Sequence, residues 1–225
     1  MLLKQEKYLN YNILEFDILD TTINKIKEFP INTIVVANSQ MNGKGKGDRV
    51  WISDDSGNLY FSMSLKIDKN LDYSQVSFIA SIAMRENIKN SVSKWPNDIL
   101  INNKKCCGIL LTNDVNLIVS AGVNINTYPI NNTNFKATSL KEYGIIIDKI
   151  DLLKKFLSAF NYYYNIWIEH GFAIIRSKWL EKCYNLNSKI SINDREGIFL
   201  DIDINGNLLF KIDGEIQKIS SGDIF

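Results

Sequence analysis

The chain has 225 residues, 45% hydrophobic and 23% charged, which suits one catalytic domain with a small appendage and argues against extensive disorder. Lys and Arg number 26 against 25 Asp and Glu, a net charge of +1 that argues against a dedicated nucleic-acid binder. Three cysteines with an adjacent pair (Cys106, Cys107 and Cys183) argue against a disulfide framework, and a lone His170 with no CxxC argues against a structural metal site.

The start, MLLKQEKYLN, lacks the apolar core of a signal peptide. No apolar run reaches the roughly 18 residues of a membrane span. A cytoplasmic, reducing setting is therefore expected. Residues 12 to 19 form an extended apolar run, and Asp20, Thr21 and Thr22 are good helix-starting residues, with Pro30 as a stop. Thr33 to Ala37 is expected to be a buried strand. A long polar loop follows from Asn38 to Ser56, then a strand from Leu59 to Leu65. Residues 74 to 90 carry helical spacing. Short strands are expected around Val92 and Ile99 to Ile101, with a tight turn at Asn102-Asn103. Cys106 to Leu111 and Leu117 to Val123 make a hairpin. Helices are expected over 149 to 168 and from about Ala173 to Tyr184. Beyond Leu186, short apolar runs alternate with turn pairs at Asn193-Asp194, Asn205-Gly206 and Asp213-Gly214. That spacing describes a small antiparallel β unit.

Two segments carry chemistry. The first, QMNGKGKGDRVW, alternates Gly43, Gly45 and Gly47 with Lys44 and Lys46, followed by Arg49 and Trp51. Glycines let backbone approach a ligand closely, and three cations within six residues suit a polyphosphate. It is not a Walker A loop, because a strand and not a helix follows. The same composition also occurs in solvated surface loops. The second segment is Lys94-Trp95-Pro96-Asn97-Asp98, followed at short distance by Lys105-Cys106-Cys107-Gly108-Ile109-Leu110. Pro96 restricts Trp95 to extended backbone. Cys106 and Cys107 have no partner set for thiol catalysis and are expected to be small buried strand residues.

Together, Gln40, the Gly-Lys-Gly-Lys run, Arg49, Trp51, Gly57-Asn58-Leu59-Tyr60 and KWPND resemble the signature of the biotin protein ligases. The resemblance covers nearly the whole chain, weakly from 127 to 185. It implies an α+β fold of the class II synthetase-like kind, a mixed sheet with helices over residues 1–185, and an SH3-like β-barrel over 186–225. It also implies ATP-dependent activation of biotin to biotinyl-5′-AMP, with Mg²⁺, and transfer to a lysine of a biotin carboxyl carrier protein. Thr21, Thr22, Ile23, Gln40, Gly43, Lys44, Gly45, Lys46, Lys105, Gly108 and Ser120 fall on the family's biotin site. Lys44, Lys46, Arg49, Trp51, Asn97, Lys105 and Asn124 fall on its ATP site. Lys105, Asp98 and Lys46 fall on catalytic positions. The family usually has Arg at Lys44 and Lys46, commonly Gly at Asp48, and often Gly at Ser120. The implied form lacks a DNA-binding domain. Its partners are the carrier domain and, since relatives often dimerise, a second copy; no nucleic acid or membrane is expected. A lipoate–protein ligase and a non-catalytic biotin-binding regulator are the alternatives.

Overall fold

Runs rich in Val, Ile and Phe favour the pleated, half-buried surface of a sheet, and the 3.6-residue apolar repeats favour helices. The computed structural model describes residues 1–53, 57–66, 71–130 and 136–224. In chain order its elements are β1 (Leu2–Tyr8), β2 (Tyr11–Leu19), α1 (Thr22–Ile26), β3 (Thr33–Gln40), β4 (Leu59–Leu65), α2 (Val76–Arg85), β5 (Ser91–Lys94), β6 (Asp98–Ile101), β7 (Lys104–Asn113), β8 (Leu117–Val123), α3 (Lys149–His170), α4 (Phe172–Leu180), β9 (Lys189–Ile192), β10 (Arg195–Ile202), β11 (Leu208–Ile212) and β12 (Glu215–Ile219). The chain divides into two units, Met1–Leu71 with Asn103–Lys155, and Asp72–Asn102 with Phe156–Phe225.

In the first unit the strands lie in the order β1-β2-β3-β4-β8-β7. β2 and β3 pair in parallel, with α1 in the crossover between them, and the other neighbours are antiparallel. β4 and β8, at the centre, are buried almost throughout. α1 lays Ile23 and Ile26 on Leu14, Phe16, Val35 and Ile118, which seals one face of the sheet. The sequence did not announce β1. Its residues LLKQEKY are mostly exposed along the sheet edge, so no core-facing alternation marks them. β3 runs three residues past the expected end at Ala37.

In the second unit, β5 and β6 form a hairpin around the Trp-Pro-Asn turn. Phe78 of α2 meets Phe172 and Trp179 of α4 edge-on, at centroid distances of 5.4 and 5.2 Å. The buried Arg85 donates to the carbonyls of Trp179 and Lys178, both at 3.0 Å. Those are last-turn carbonyls, and Trp179 O also accepts from Lys182 N at 3.4 Å; α4 ends at Leu180, short of the expected Tyr184. On α3, Tyr163 and Trp167 are buried, as expected for packing, and Trp167 Nε1 donates to Gln75 Oε1 at 2.6 Å. The last four strands form an antiparallel sheet in the order β12-β11-β10-β9. Asn193 and Asp194 both take positive φ, as do Asp213 and Gly214, the conformation that tight hairpins require. The mixed sheet with helices and this SH3-like sheet match the expected fold class.

Candidate active site

Side chains two apart on a strand share a face. On β8 this places Ser120 and Gly122 together. The register sets Val35, Ser62, Ser120 and Leu110 in one row across β3, β4, β8 and β7, and Ala37, Tyr60, Gly122 and Gly108 in the next. One face of the sheet therefore carries a hydroxyl row beside a row with two facing glycines.

The glycine row is covered by Trp51. A Cβ on Gly122 would meet Trp51 Cε2 at 2.3 Å, and one on Gly108 would meet Trp51 Cζ3 at 2.7 Å. The indole thus lies directly on bare backbone. Lys105 Nζ stands 5.3 Å from the ring centroid and would be 3.3 Å from a Cβ on Gly108. The buried Trp51 Nε1 has no hydrogen-bond partner among the described residues. Lys105 is held by its own backbone: its N–H donates to Lys136 O at 2.8 Å, and its carbonyl accepts from Thr138 N at 2.9 Å.

The Gly/Lys segment is not shapeless. Gly45 N donates to Arg49 O at 2.7 Å and Trp51 N to Gly43 O at 2.8 Å, so the segment folds on itself, with Gly47 at the tip at φ 66°. At Gly43 a Cβ would meet Trp51 O at 2.2 Å, so only glycine fits there. Met41 N donates to Leu19 O and Asn42 N to Asp20 O, at 2.9 and 3.0 Å. The Asp20 carboxylate accepts from Asn42 and Asn24 at 2.6 and 2.8 Å, and these bonds hold its pKa below the ordinary value. Lys44 and Arg49 are exposed, Lys46 half-buried. The expected loop ended at Ser56; its last part, 54–56, lies outside the described residues.

The hydroxyl row is a connected network. Thr22 N donates to Gln40 Oε1 at 2.7 Å, and Gln40 Nε2 donates to Ser53 Oγ at 3.0 Å. Ser62 Oγ donates to Thr22 Oγ1 at 2.8 Å and lies 2.8 Å from Ser120 Oγ. Thr21 caps α1, its hydroxyl accepting from Asn24 N at 2.9 Å, while Ile23 faces the core cluster. Asn124 donates through Nδ2 to Thr138 O at 3.0 Å, which ties β8 to the strip that holds Lys105.

Thr21, Thr22, Ile23, Gln40, Gly43, Lys44, Gly45, Lys46, Arg49, Trp51, Lys105, Gly108, Ser120 and Asn124 all belong to the first unit. Asn97 and Asp98 belong to the second, on the turn and first residue of the β5–β6 hairpin, with Lys94 and Asp98 paired in register. Trp95 is buried there, its peptide to Pro96 is cis, and its Nε1 donates to Gly206 O at 3.0 Å. Ser62 and Ser53 escaped sequence reasoning as functional positions, and Asn58 entered it only within the Gly57–Tyr60 motif, with no role attached. Asn58 Oδ1 accepts from the N–H groups of Ile125, Asn126 and Thr127 at 2.8, 2.9 and 3.3 Å, fixing the chain just after Asn124. The available signal was polar Ser62 inside the apolar run LYFSMSL. Among the described residues, no three His, Cys, Asp or Glu gather as a metal site, and no helix is long and apolar enough to cross a membrane.

Comparison with known proteins gives this geometry a family. Residues 17–126 match the biotin/lipoate A/B protein ligase family, and 191–225 match the biotin protein ligase C-terminal domain. The bifunctional ligase/repressor BirA of Bacillus subtilis is 30% identical over 96% of this chain and 74% of its own length. The biotin–[acetyl-CoA-carboxylase] ligase of Paracoccus denitrificans is 28% identical over 85% of this chain and 89% of its own. A structure of biotin protein ligase from Aquifex aeolicus in complex with biotin and ATP superposes with a TM-score of 0.83 at 26% identity, covering 95% of this chain and 97% of that one. With a bare glycine floor, a Gly/Lys flap ending in tryptophan and a matching C-terminal sheet, the chain belongs to the biotin protein ligase family.

Proposed function

We propose that this chain activates biotin with ATP to biotinyl-5′-AMP and then transfers biotin to a lysine of a biotin carboxyl carrier domain. The observation that carries the reading is the paired glycine floor, Gly108 facing Gly122, beside Lys105 and under Trp51. A strip without side chains accepts a flat group against backbone, here the Trp51 indole, and a ligand that takes the strip displaces that ring. The Aquifex relative, whose structure holds biotin and ATP, supports the same reading.

In the first step a carboxylate oxygen of biotin attacks the α-phosphorus, the bond to the β-phosphate oxygen breaks, and pyrophosphate leaves. Lys105 holds the carboxylate and offsets charge at the α-phosphate, and Lys44, Lys46 and Arg49 face the polyphosphate. Asn124 and Trp51 frame the nucleotide, and the family resemblance carries the same role to Asn97. Mg²⁺ supplied as MgATP would neutralise phosphate charge. In the second step the neutral lysine amine attacks the acyl carbon, AMP leaves and the nitrogen gives up its extra proton to a base, a role the family resemblance carries to Asp98. Thr21, Thr22, Gln40, Gly43, Gly45 and Gly108 surround biotin, with the buried Ile23 and Ser120 supporting them from behind. Much of the catalysis is positioning.

We assign catalysis to residues 1–185 and take 186–225 as the small β domain. The expected setting is the cytoplasm, with no nucleic acid involved, and a homodimer is a matter for sedimentation. The test is incubation with biotin and MgATP, with mass analysis of products, then addition of a carrier domain. Biotinyl-adenylate followed by a biotinylated carrier is the expected result, and Lys105→Ala lowers adenylate formation by about 10²–10³-fold. Use of lipoate in place of biotin would replace the reading by lipoate ligation. Biotin bound without adenylate would replace it by a non-catalytic regulator.

A further inference from the structure

A serine hydroxyl has one proton and two acceptor lone pairs. Ser62 gives its proton to Thr22 Oγ1, at 2.8 Å. It has none left for Ser120, whose Oγ is 2.8 Å away, so Ser120 must be the donor in that pair. The chain therefore has one direction: Ser120 to Ser62 to Thr22. All three are buried, with relative exposures of 7%, 0% and 3%. Thr22 is the first residue of α1, where its backbone N–H already donates to Gln40 Oε1. No described residue takes the hydroxyl proton of Thr22, and none takes the second amide proton of Gln40. Both donors flank the Thr22–Gln40 bond. A ligand there meets two donors and needs an acceptor.

We infer that Ser62 and Ser120 are positioning residues that fix Thr22 as a hydrogen-bond donor, making this end of the site select a neutral carbonyl acceptor over a group that carries protons. The inference rests on the biotin reading above, and the acceptor it assigns is the oxygen of biotin's ureido ring. A hydroxyl that accepts a hydrogen bond becomes a better donor itself, more so in a buried site. Ser120 acts only through Ser62, and Ser62 only through Thr22. This order makes a sharp prediction about combined variants.

The experiment measures binding of biotin and of 2-iminobiotin by calorimetry at neutral pH, where the cyclic guanidine is protonated and presents N–H groups in place of the carbonyl oxygen. The wild type is expected to prefer biotin. Ser62→Ala is expected to weaken biotin about three- to tenfold and to narrow the preference by a similar factor. Ser120→Ala has a smaller effect in the same direction, and Ser120→Thr restores the wild-type preference. The double variant equals Ser62→Ala alone, because the first link has nothing left to act on. In turnover the loss falls on KM for biotin and spares kcat, as expected for a contact made equally before and during the reaction. Should Ser62→Ala fail to fold, Ser62→Cys, with its weak donor, carries the same comparison. An unchanged biotin-to-iminobiotin preference in variants with lowered melting temperature would overturn the inference and leave a structural network only. Additive losses in the double variant would overturn the ordering. A wild type that binds no biotin, with or without MgATP, would overturn both this inference and the reading beneath it.

Discussion

Gly122→Ala tests the placement of Trp51 directly. The added methyl would sit 2.3 Å from Cε2, 2.4 Å from Nε1 and 2.7 Å from Cζ2 of the ring. Ordinary carbon contacts lie at about 3.5–4.0 Å, so the overlap exceeds an ångström. β8 is buried along its whole length between β4 and β7 and cannot yield. Trp51 is only half-buried and stands on a flap, so the ring is what moves. Overpacking of this kind costs about 1–3 kcal/mol. At this chain length each kcal/mol lowers the melting temperature by about 2–4 °C. The assay is thermal unfolding and biotin calorimetry on Gly122→Ala, Trp51→Ala and the double variant. With the ring gone the methyl meets no overlap from it, so Gly122→Ala should cost far less on the Trp51→Ala background, a coupling of about 1–3 kcal/mol. Equal costs of Gly122→Ala with and without Trp51 would refute the packing.

Asp20 supplies a pH prediction. Its folded pKa is held down by Asn42 and Asn24, so the carboxylate supports the flap above its unfolded pKa, and that support fades as pH falls through the lower folded value. Amide NMR signals of Gly43 and Gly45 should therefore stay constant from neutral pH down to the usual carboxylate range and change only below it; Asp20→Ala should shift them already at neutral pH. Trp95→Phe removes the donor to Gly206 O, and an unsatisfied buried carbonyl costs about 1–3 kcal/mol. Its melting temperature should fall by several degrees with kcat nearly kept, and lost activity at unchanged melting temperature would show that Trp95 serves chemistry instead. Cys106 and Cys107 are fully buried, and burial pushes the Cys183 thiol up. No cysteine should react with Ellman's reagent before unfolding, whereas all three should in guanidinium; a fast native thiol would contradict this burial.

Much of the fold was legible because its strands are buried and its turns use Asn, Asp and Gly. Leu59–Leu65 has the bounds its apolar run suggests, and the Asn-Asp and Asp-Gly turns fall where positive φ is needed. β1 was illegible because an exposed edge carries no alternation toward a core. The short pairing inside the Gly/Lys segment was hidden for a different reason. Backbone-to-backbone bonds such as Gly45 to Arg49 leave no side-chain pattern. In the site, residues with distinctive chemistry stood out: Lys105, Gln40 and the glycines. Ser62 and Ser53 did not, since a hydroxyl in the sequence looks the same whether it fills space or orients a hydrogen bond. The partner that gives it direction lies 40 residues away for Ser62 and 13 for Ser53.

The Gly/Lys flap has an entropic consequence. Fixing one residue's backbone costs about 1–2 kcal/mol, so a wholly unordered loop would drain much of a small ligand's affinity on closing. Here Met41 and Asn42 are pinned to Leu19 and Asp20, Gln40 is bridged to Ser53, and Gly43–Gly45 is paired to Arg49–Trp51. The turn at the tip runs through Gly47, at φ 66°. If this segment moves over the ligands proposed above, it would swing as a stiff plate on a hinge rather than freeze as a string, and those ligands would have little left to organise.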